Sequence, residues 1–262
     1  MKRGHYSTEA IVLESFDLGE SDRLLAFYTK DFGKVKGVAK GARRSRKRFV
    51  GRLEPASCIR LFFHYSEKSE LVRVEDAALI NGFDGLRGDI EMFTAACYLV
   101  ELTGAFTRPG VSQSGVFSLL KSFLSLMDEG GSSLTISRFF EVKLLSLLGY
   151  MPALEECVVC GASIETPLTG EMFRFSPIKG GLLCRQCCGA GEKFVRLSAG
   201  TAKFLQAVER MAPHKLQRLR PGPSFTKEAG PLLDSFIKIR LGHELKTKSF
   251  MAQMQSLNPL VL

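Results

Sequence analysis

Two cysteine pairs, Cys157-Val-Val-Cys160 and Cys184-Arg-Gln-Cys187, stand 23 residues apart in a chain of 262. Each C-x2-C turn can aim two thiolates at one ion, and two such turns complete the tetrahedral four-sulfur set that soft ligands offer zinc. Four protein ligands leave no position for a reactive water, so the spacing predicts one structural Zn2+ held by Cys157, Cys160, Cys184 and Cys187. Gly161 suits the tight turn that follows Cys160. Cys188 is a fifth thiol that could replace Cys187, at a less usual spacing. Free or redox cysteines fit less well, because a redox C-x2-C needs only one pair. Disulfides also fit poorly: the seven cysteines are odd in number and five fall between positions 157 and 188. Cys58 and Cys97 occupy apolar positions and are expected in the core.

The second concentration of chemistry is electrostatic. Lys34, Lys36, Lys40, Arg43, Arg44, Arg46, Lys47, Arg48 and Arg52 are nine bases in nineteen positions, with no acid among them. The chain has 36 basic and 27 acidic residues, a net +9, so without this segment it is formally neutral. Charge gathered this way creates a local potential that attracts a polyanion, and nucleic-acid phosphate leads the candidates. Phosphate contacts position a strand without reading its sequence. If 6 to 10 phosphates are neutralised, affinity should fall roughly 10³- to 10⁵-fold between about 50 and 200 mM salt. Phe27, Tyr28, Phe32 and Phe49 lie nearby; most suit a core, and Phe49 is the one kept as a base-stacking candidate. The plainer alternative is a solvated charge run, or a contact for an acidic protein or an anionic membrane.

Catalysis finds little support. There is no G-x4-G-K-[ST] loop, and His5, His64, His214 and His243 match no H-E-x2-H or H-x-E pattern. Glu20 and Asp22 are the best carboxylate pair for a metal nuclease, but a polar turn entering a strand explains them better. The chain is therefore expected not to be an enzyme.

These residues need elements to hold them. Short strands are expected at Glu9 to Phe16, Arg23 to Thr29, Lys34 to Ala39, Cys58 to Tyr65 and Leu71 to Glu75, of which the last two show the clearest period-two pattern. Five strands in eighty residues suggest a small β-barrel, either an OB-fold or an SH3-like one. After Asn81 the period becomes helical. Ile90, Phe93, Cys97 and Val100 are expected on one face. Val116, Leu119, Leu120, Phe123, Leu124 and Met127 form the next, and Ile136, Phe139, Phe140, Leu144, Leu147 and Leu148 a third. The cysteine-rich segment interrupts this pattern, which Phe204, Leu205, Val208 and Met211 resume after an N-cap at Ser198. The expected division is 1–80 (barrel), 81–152 (helical, first part), 153–190 (zinc segment), 191–250 (helical, second part) and 251–262 (tail). No apolar run reaches the roughly 18 residues a membrane helix needs, and no signal peptide follows Lys2 and Arg3, so a cytoplasmic location without a membrane partner is expected.

Three stretches resemble the bacterial recombination mediator family RecO. The first is Ala10-Ile-Val-Leu13 with Gly19-Glu-Ser-Asp-Arg23, Phe32-Gly-Lys34 and Val38-Ala-Lys-Gly-Ala-Arg-Arg44. The second is Leu147-Leu-Gly-Tyr-Met-Pro152 with Leu154, Cys157 and Cys160-Gly161, and the third is Ile239 to Phe250. The resemblance implies an α+β chain: an N-terminal five-stranded OB-fold barrel, a helical domain and an inserted zinc-binding segment. It implies DNA repair by homologous recombination, in which the protein binds single- and double-stranded DNA, anneals complementary strands and helps RecA displace single-strand-binding protein with RecR. It also implies association with the nucleoid and a pocket for the acidic, Phe-ended tail of single-strand-binding protein. Arg138, Lys143, Lys238 and Arg240 are candidates for that pocket by charge alone. The alternative reading is a zinc-ribbon scaffold that binds acidic proteins or structured RNA and does not anneal DNA.

Overall fold

The computed structural model describes residues 1–45, 48–113, 115–164, 172–189 and 191–257. Its first five strands are β1 (Gly4–Leu18), β2 (Asp22–Thr29), β3 (Gly33–Ala39), β4 (Cys58–Tyr65) and β5 (Val72–Asn81). They pair around a barrel in the order β1-β2-β3-β5-β4, with β4 returning to β1. β1 can serve both neighbours because it bends: residues Gly4 to Ile11 pair with β4, Ala10 to Leu18 with β2, and a register shift lies between Val12 and Glu14. The bend also breaks strict alternation, which is why period two alone marked only the middle of this strand. All neighbours are antiparallel except β3 and β5, which run parallel through Gly37↔Val72, Val38↔Arg73 and Ala39↔Val74. Alternate residues fill the interior, among them Ala10, Val12, Leu25, Phe27, Val35, Ile59, Leu61, Phe63, Val72 and Val74. Gly37 faces inward without a side chain, because a Cβ there would lie 2.7 Å from Val72 Cγ2.

A short helix α1 (Asp84–Arg87) leads to α2 (Ile90–Phe106), α3 (Val116–Asp128) and α4 (Ser133–Leu147). Asp89 caps α2, accepting from the N–H groups of Glu91 and Met92 at 2.8 and 3.1 Å. The expected apolar face of α2 is not the observed one. Ile90 is 63% exposed, whereas Thr94, Ala95, Ala96, Tyr98, Leu99, Val100, Leu102 and Thr103 are buried. The reason is that α2 touches β1, α1, α3 and a helix late in the chain at once, so a single stripe does not describe it. On α3 the six expected apolar residues are all buried.

Four short strands follow: β6 (Ala153–Cys157), β7 (Phe173–Ser176), β8 (Gly181–Leu183) and β9 (Val195–Leu197), in the order β6-β8-β7-β9. The remaining helices are α5 (Ala199–Arg210), α6 (Pro213–Leu216), α7 (Pro223–Leu241) and α8 (Lys246–Leu257). Ser198 caps α5 as expected, its hydroxyl accepting from Thr201 N at 3.2 Å. The segment 251–262, read from sequence as a tail, is helical as far as Leu257. Glu101 on α2 caps α8, accepting from the backbone N–H groups of Lys246 and Thr247 at 2.8 and 2.9 Å. Such a cap joins residues 145 apart and leaves no local sequence signature. The chain divides into two compact units, one of Met1–Ser133 with the stretch beginning at Leu245, the other of Leu134–Glu244. Among the described residues no helix is long and apolar enough to cross a membrane.

A candidate nucleic-acid interface and a candidate metal centre

The two cysteine pairs converge. The Sγ atoms of Cys157, Cys160, Cys184 and Cys187 all lie within 4.8 Å of one another. Four sulfurs at about 2.3 Å from a tetrahedral ion would be about 3.8 Å apart, and Cys160 Sγ to Cys184 Sγ measures 3.8 Å. The donor set therefore fits one zinc. Local backbone structure makes the turns. Gly161 adopts φ +71°, its N–H donates to Cys157 O at 2.8 Å, and Cys157 N donates to Ala162 O at 2.8 Å. The Cys187 N–H points at Cys184 Sγ over 3.4 Å. Burial resists a thiolate at Cys157, but the N–H groups of Cys184, Cys160 and Val159, with the Cys160 thiol, outweigh it and bring the group down to about 6. Hydrogen bonding with Cys184 first, then Cys160, pushes Cys187 up to about 12. Cys188 stands outside the four and donates its backbone N–H to Cys184 O at 3.1 Å. The small sheet supporting the site rests on α7 through Phe175 and Phe236, whose ring centroids are 6.2 Å apart.

The basic segment does not act as one surface. On β3, Val35 and Ala39 face the barrel interior while Lys34, Lys36 and Val38 alternate outward. Lys34 is half-buried and donates to Gly104 O of α2 at 2.6 Å; burial lowers its ammonium below the ordinary lysine range. Its charge ties the barrel to α2 instead of facing solvent. Lys36 and Lys40 are exposed, with no hydrogen-bond or ion-pair partner among the described residues. Arg43 is pinned on the β1–β2 turn by Asp17 at 3.3 Å and Gly19 O at 3.0 Å. Arg44 meets Glu20 at 3.3 Å, with both side chains largely in water. Arg48 lies over the Phe49 ring, and Arg52 donates to Ala77 O at 2.8 Å, closing the loop onto β5. Arg46 and Lys47 lie outside the described residues.

The aromatic expectations fare differently. Phe27 and Tyr28 are buried, and Phe32 packs edge-on to Tyr6 and Phe63. Phe49, kept as a stacking candidate, is 4% exposed and belongs to the barrel core with Leu53. Phe49 thus fastens its part of the loop to the barrel core. Sequence reasoning omitted Arg73, which β3–β5 pairing sets beside Val38 on the outer surface. Alternation around Val72 and Val74 already turned Arg73 outward; the parallel pairing that brings it next to β3 is not visible in a sequence.

Asp22 Oδ1 accepts from Gly41 N at 2.8 Å and from the Ser21 hydroxyl at 2.8 Å, and those bonds, Gly41's first, hold its carboxyl below the usual range. It staples the basic loop to the hairpin turn and is committed to that task. In the second unit Arg138 is buried and donates to Glu141 and Asp234 at 2.9 and 2.6 Å, while Lys143 donates to Glu209 O and Met211 O. Lys238 pairs with Glu244, and Arg240 lies over Phe236 at 4.8 Å. Of the four side chains suggested by charge for an acidic tail, Arg138 and Lys143 are thus held by bonds within the chain, while Lys238 and Arg240 remain exposed.

Comparison with known proteins identifies the family. The family model for the recombination protein O N terminal matches residues 1–83, and that for the recombination protein O C terminal matches residues 87–249. DNA repair protein RecO of Syntrophus aciditrophicus (strain SB) is 35% identical over 255 residues, 97% of this chain and 97% of its own. The RecO proteins of Desulforamulus reducens and Myxococcus xanthus (strain DK1622) are each 35% identical, covering 97% and 95% of this chain and 96% and 98% of their own. With the two family models together matching nearly the whole chain and relatives aligned over nearly their whole length, the chain belongs to the recombination protein O (RecO) family.

Proposed function

We propose that this chain is a non-catalytic, cytoplasmic mediator of DNA repair by homologous recombination, acting on DNA of the nucleoid. It binds single- and double-stranded DNA, anneals complementary strands, and with RecR helps RecA take over strands coated by single-strand-binding protein. The observation that carries this reading is the outer edge of the barrel, where Lys36, Lys40 and Arg44 stand exposed on a rigid β3 and on a loop stapled at Asp22. Annealing brings two polyanions together, so mobile cations that displace counterions lower the barrier without bond cleavage. The four cysteines serve as a structural zinc site, since four thiolates leave no place for a reacting water.

The test is a strand-annealing assay on the chain carrying Lys36, Lys40, Arg44, Arg46, Lys47 and Arg48 all replaced by alanine. Annealing of complementary oligonucleotides should fall to near the protein-free rate while the fold, followed by circular dichroism, persists. Annealing at the unaltered rate by the folded variant would refute the assignment, and a wild-type chain that never anneals would favour a zinc-ribbon scaffold for acidic proteins or RNA.

A further inference from the structure

The basic edge lacks the aromatic surface that single-strand binding usually adds, because the aromatic residues nearest in sequence are used by the core. The register of the barrel supplies one from elsewhere. Phe16 pairs with Leu24, Leu24 with Val38, and Val38 with Arg73, so these four side chains form one row across β1, β2, β3 and β5. Residues paired across a sheet share a face, and since Leu25, Ala39, Val72 and Val74 fill the interior, this row faces outward. Three strand spacings make it about 14 Å wide. Phe16 is 52% exposed and Leu18, two residues on along the same face, is 45% exposed.

We propose that Phe16 stacks on bases of single-stranded nucleic acid, over a platform continued by Leu24, Val38 and Arg73 and edged by phosphate-binding Lys36 and Lys40. The proposal rests on the reading of the basic edge given above and adds to it the group that distinguishes an unpaired strand from a duplex. A duplex hides its base faces, whereas every unpaired base offers one to a ring regardless of sequence. Charge supports the occupant: Lys36 on β3 and Lys40 just past its end flank Val38, and Arg73 ends the row. Arg43 and Arg44 are held against the turn that follows Leu18, through Gly19 O and Glu20. The exposed ring on the outer face of β4, Phe62, pairs instead with Ser7 and Asp76.

The test uses the full chain and an oligo-dT strand alongside a duplex of equal length. Phe16→Ala should weaken oligo-dT binding about 5- to 160-fold, the range for one lost base stack, while duplex affinity stays within about twofold. The salt dependence should keep its slope, since no cation is removed. The natural chain contains no tryptophan, so Phe16→Trp supplies a single fluorophore whose emission should be quenched on adding oligo-dT at low salt. If both variants fold, oligo-dT binds Phe16→Ala as tightly as wild type and the tryptophan emission does not change, stacking is wrong. Weakened binding by Lys36→Ala/Lys40→Ala in the same assay would then leave the basic edge standing. Unchanged binding by that double variant as well would remove both readings. A Phe16→Ala chain that loses self-association but keeps its oligo-dT affinity would show that the row covers a second copy, which also overturns the proposal.

Discussion

Replacing Lys36, Lys40 and Arg44 together by alanine should change how DNA affinity responds to salt by an amount the structure sets. Of the nine bases, Lys34 is spent on Gly104 O, Arg43 on Asp17 and Gly19 O, and Arg52 on Ala77 O. That leaves Lys36, Lys40, Arg44 and Arg48, with Arg46 and Lys47 counted from the sequence, or about six cations for phosphate. For single strands the logarithm of affinity falls by about 0.7 per contact for each decade of salt, giving a slope of about −4. From about 50 to 200 mM salt the wild type should lose about 300-fold in affinity, and the triple variant, with about three contacts left, only about 20-fold. On duplex the slope should drop from about −5 to about −3. The measurement is fluorescence anisotropy of a labelled oligonucleotide titrated at four or five salt concentrations. A triple variant that folds and keeps the wild-type slope would show that these cations do not meet phosphate, and the reasoning from their exposure would fail.

Other perturbations separate binding from architecture. Lys34→Met should leave the salt slope unchanged but lower stability by about 1 kcal/mol in urea unfolding, because it deletes the bond to Gly104 O and not a phosphate contact. Metal analysis should find about one zinc per chain and none in Cys160→Ser, with protease cleavage appearing first around 153–190, since the small sheet depends on the ion. Glu9 is held below 4.5 chiefly by the hydrogen bond from Lys121, against the opposing effect of burial, with Lys121, Lys30 and Arg60 adding charge. A carboxylate lowered in the folded state adds stability that is present above its unfolded value and fades as pH drops through its folded value. Glu9→Gln should therefore be less stable than wild type at pH 7 and show a smaller loss on acidification below about pH 4.5, read from denaturant midpoints across pH.

The sequence carried the chemistry of the cysteines almost completely, because C-x2-C encodes its own turn and the ion needs only two of them. Buried strands with clean alternation, such as β4, were legible for the same local reason. β1 was only half legible, since the shift at Val12 and Glu14 lets it serve two partners. The face of α2 was misread because four neighbours bury it, and α8 was missed in part because its cap comes from Glu101 across the unit. At the basic segment the types of residue were informative and their availability was not. Whether Lys34 meets phosphate or Gly104 O, and whether Phe49 or Phe16 reaches solvent, depends on pairings between strands far apart in sequence.

The most direct test of the barrel edge as the DNA site is contact itself. A photoreactive benzophenone side chain placed at Lys40 should crosslink to single-stranded oligonucleotide in proportion to binding, and the same group at Phe62 on the outer face of β4 should not. Equal or stronger labelling from position 62 would place the DNA on another face and contradict the account.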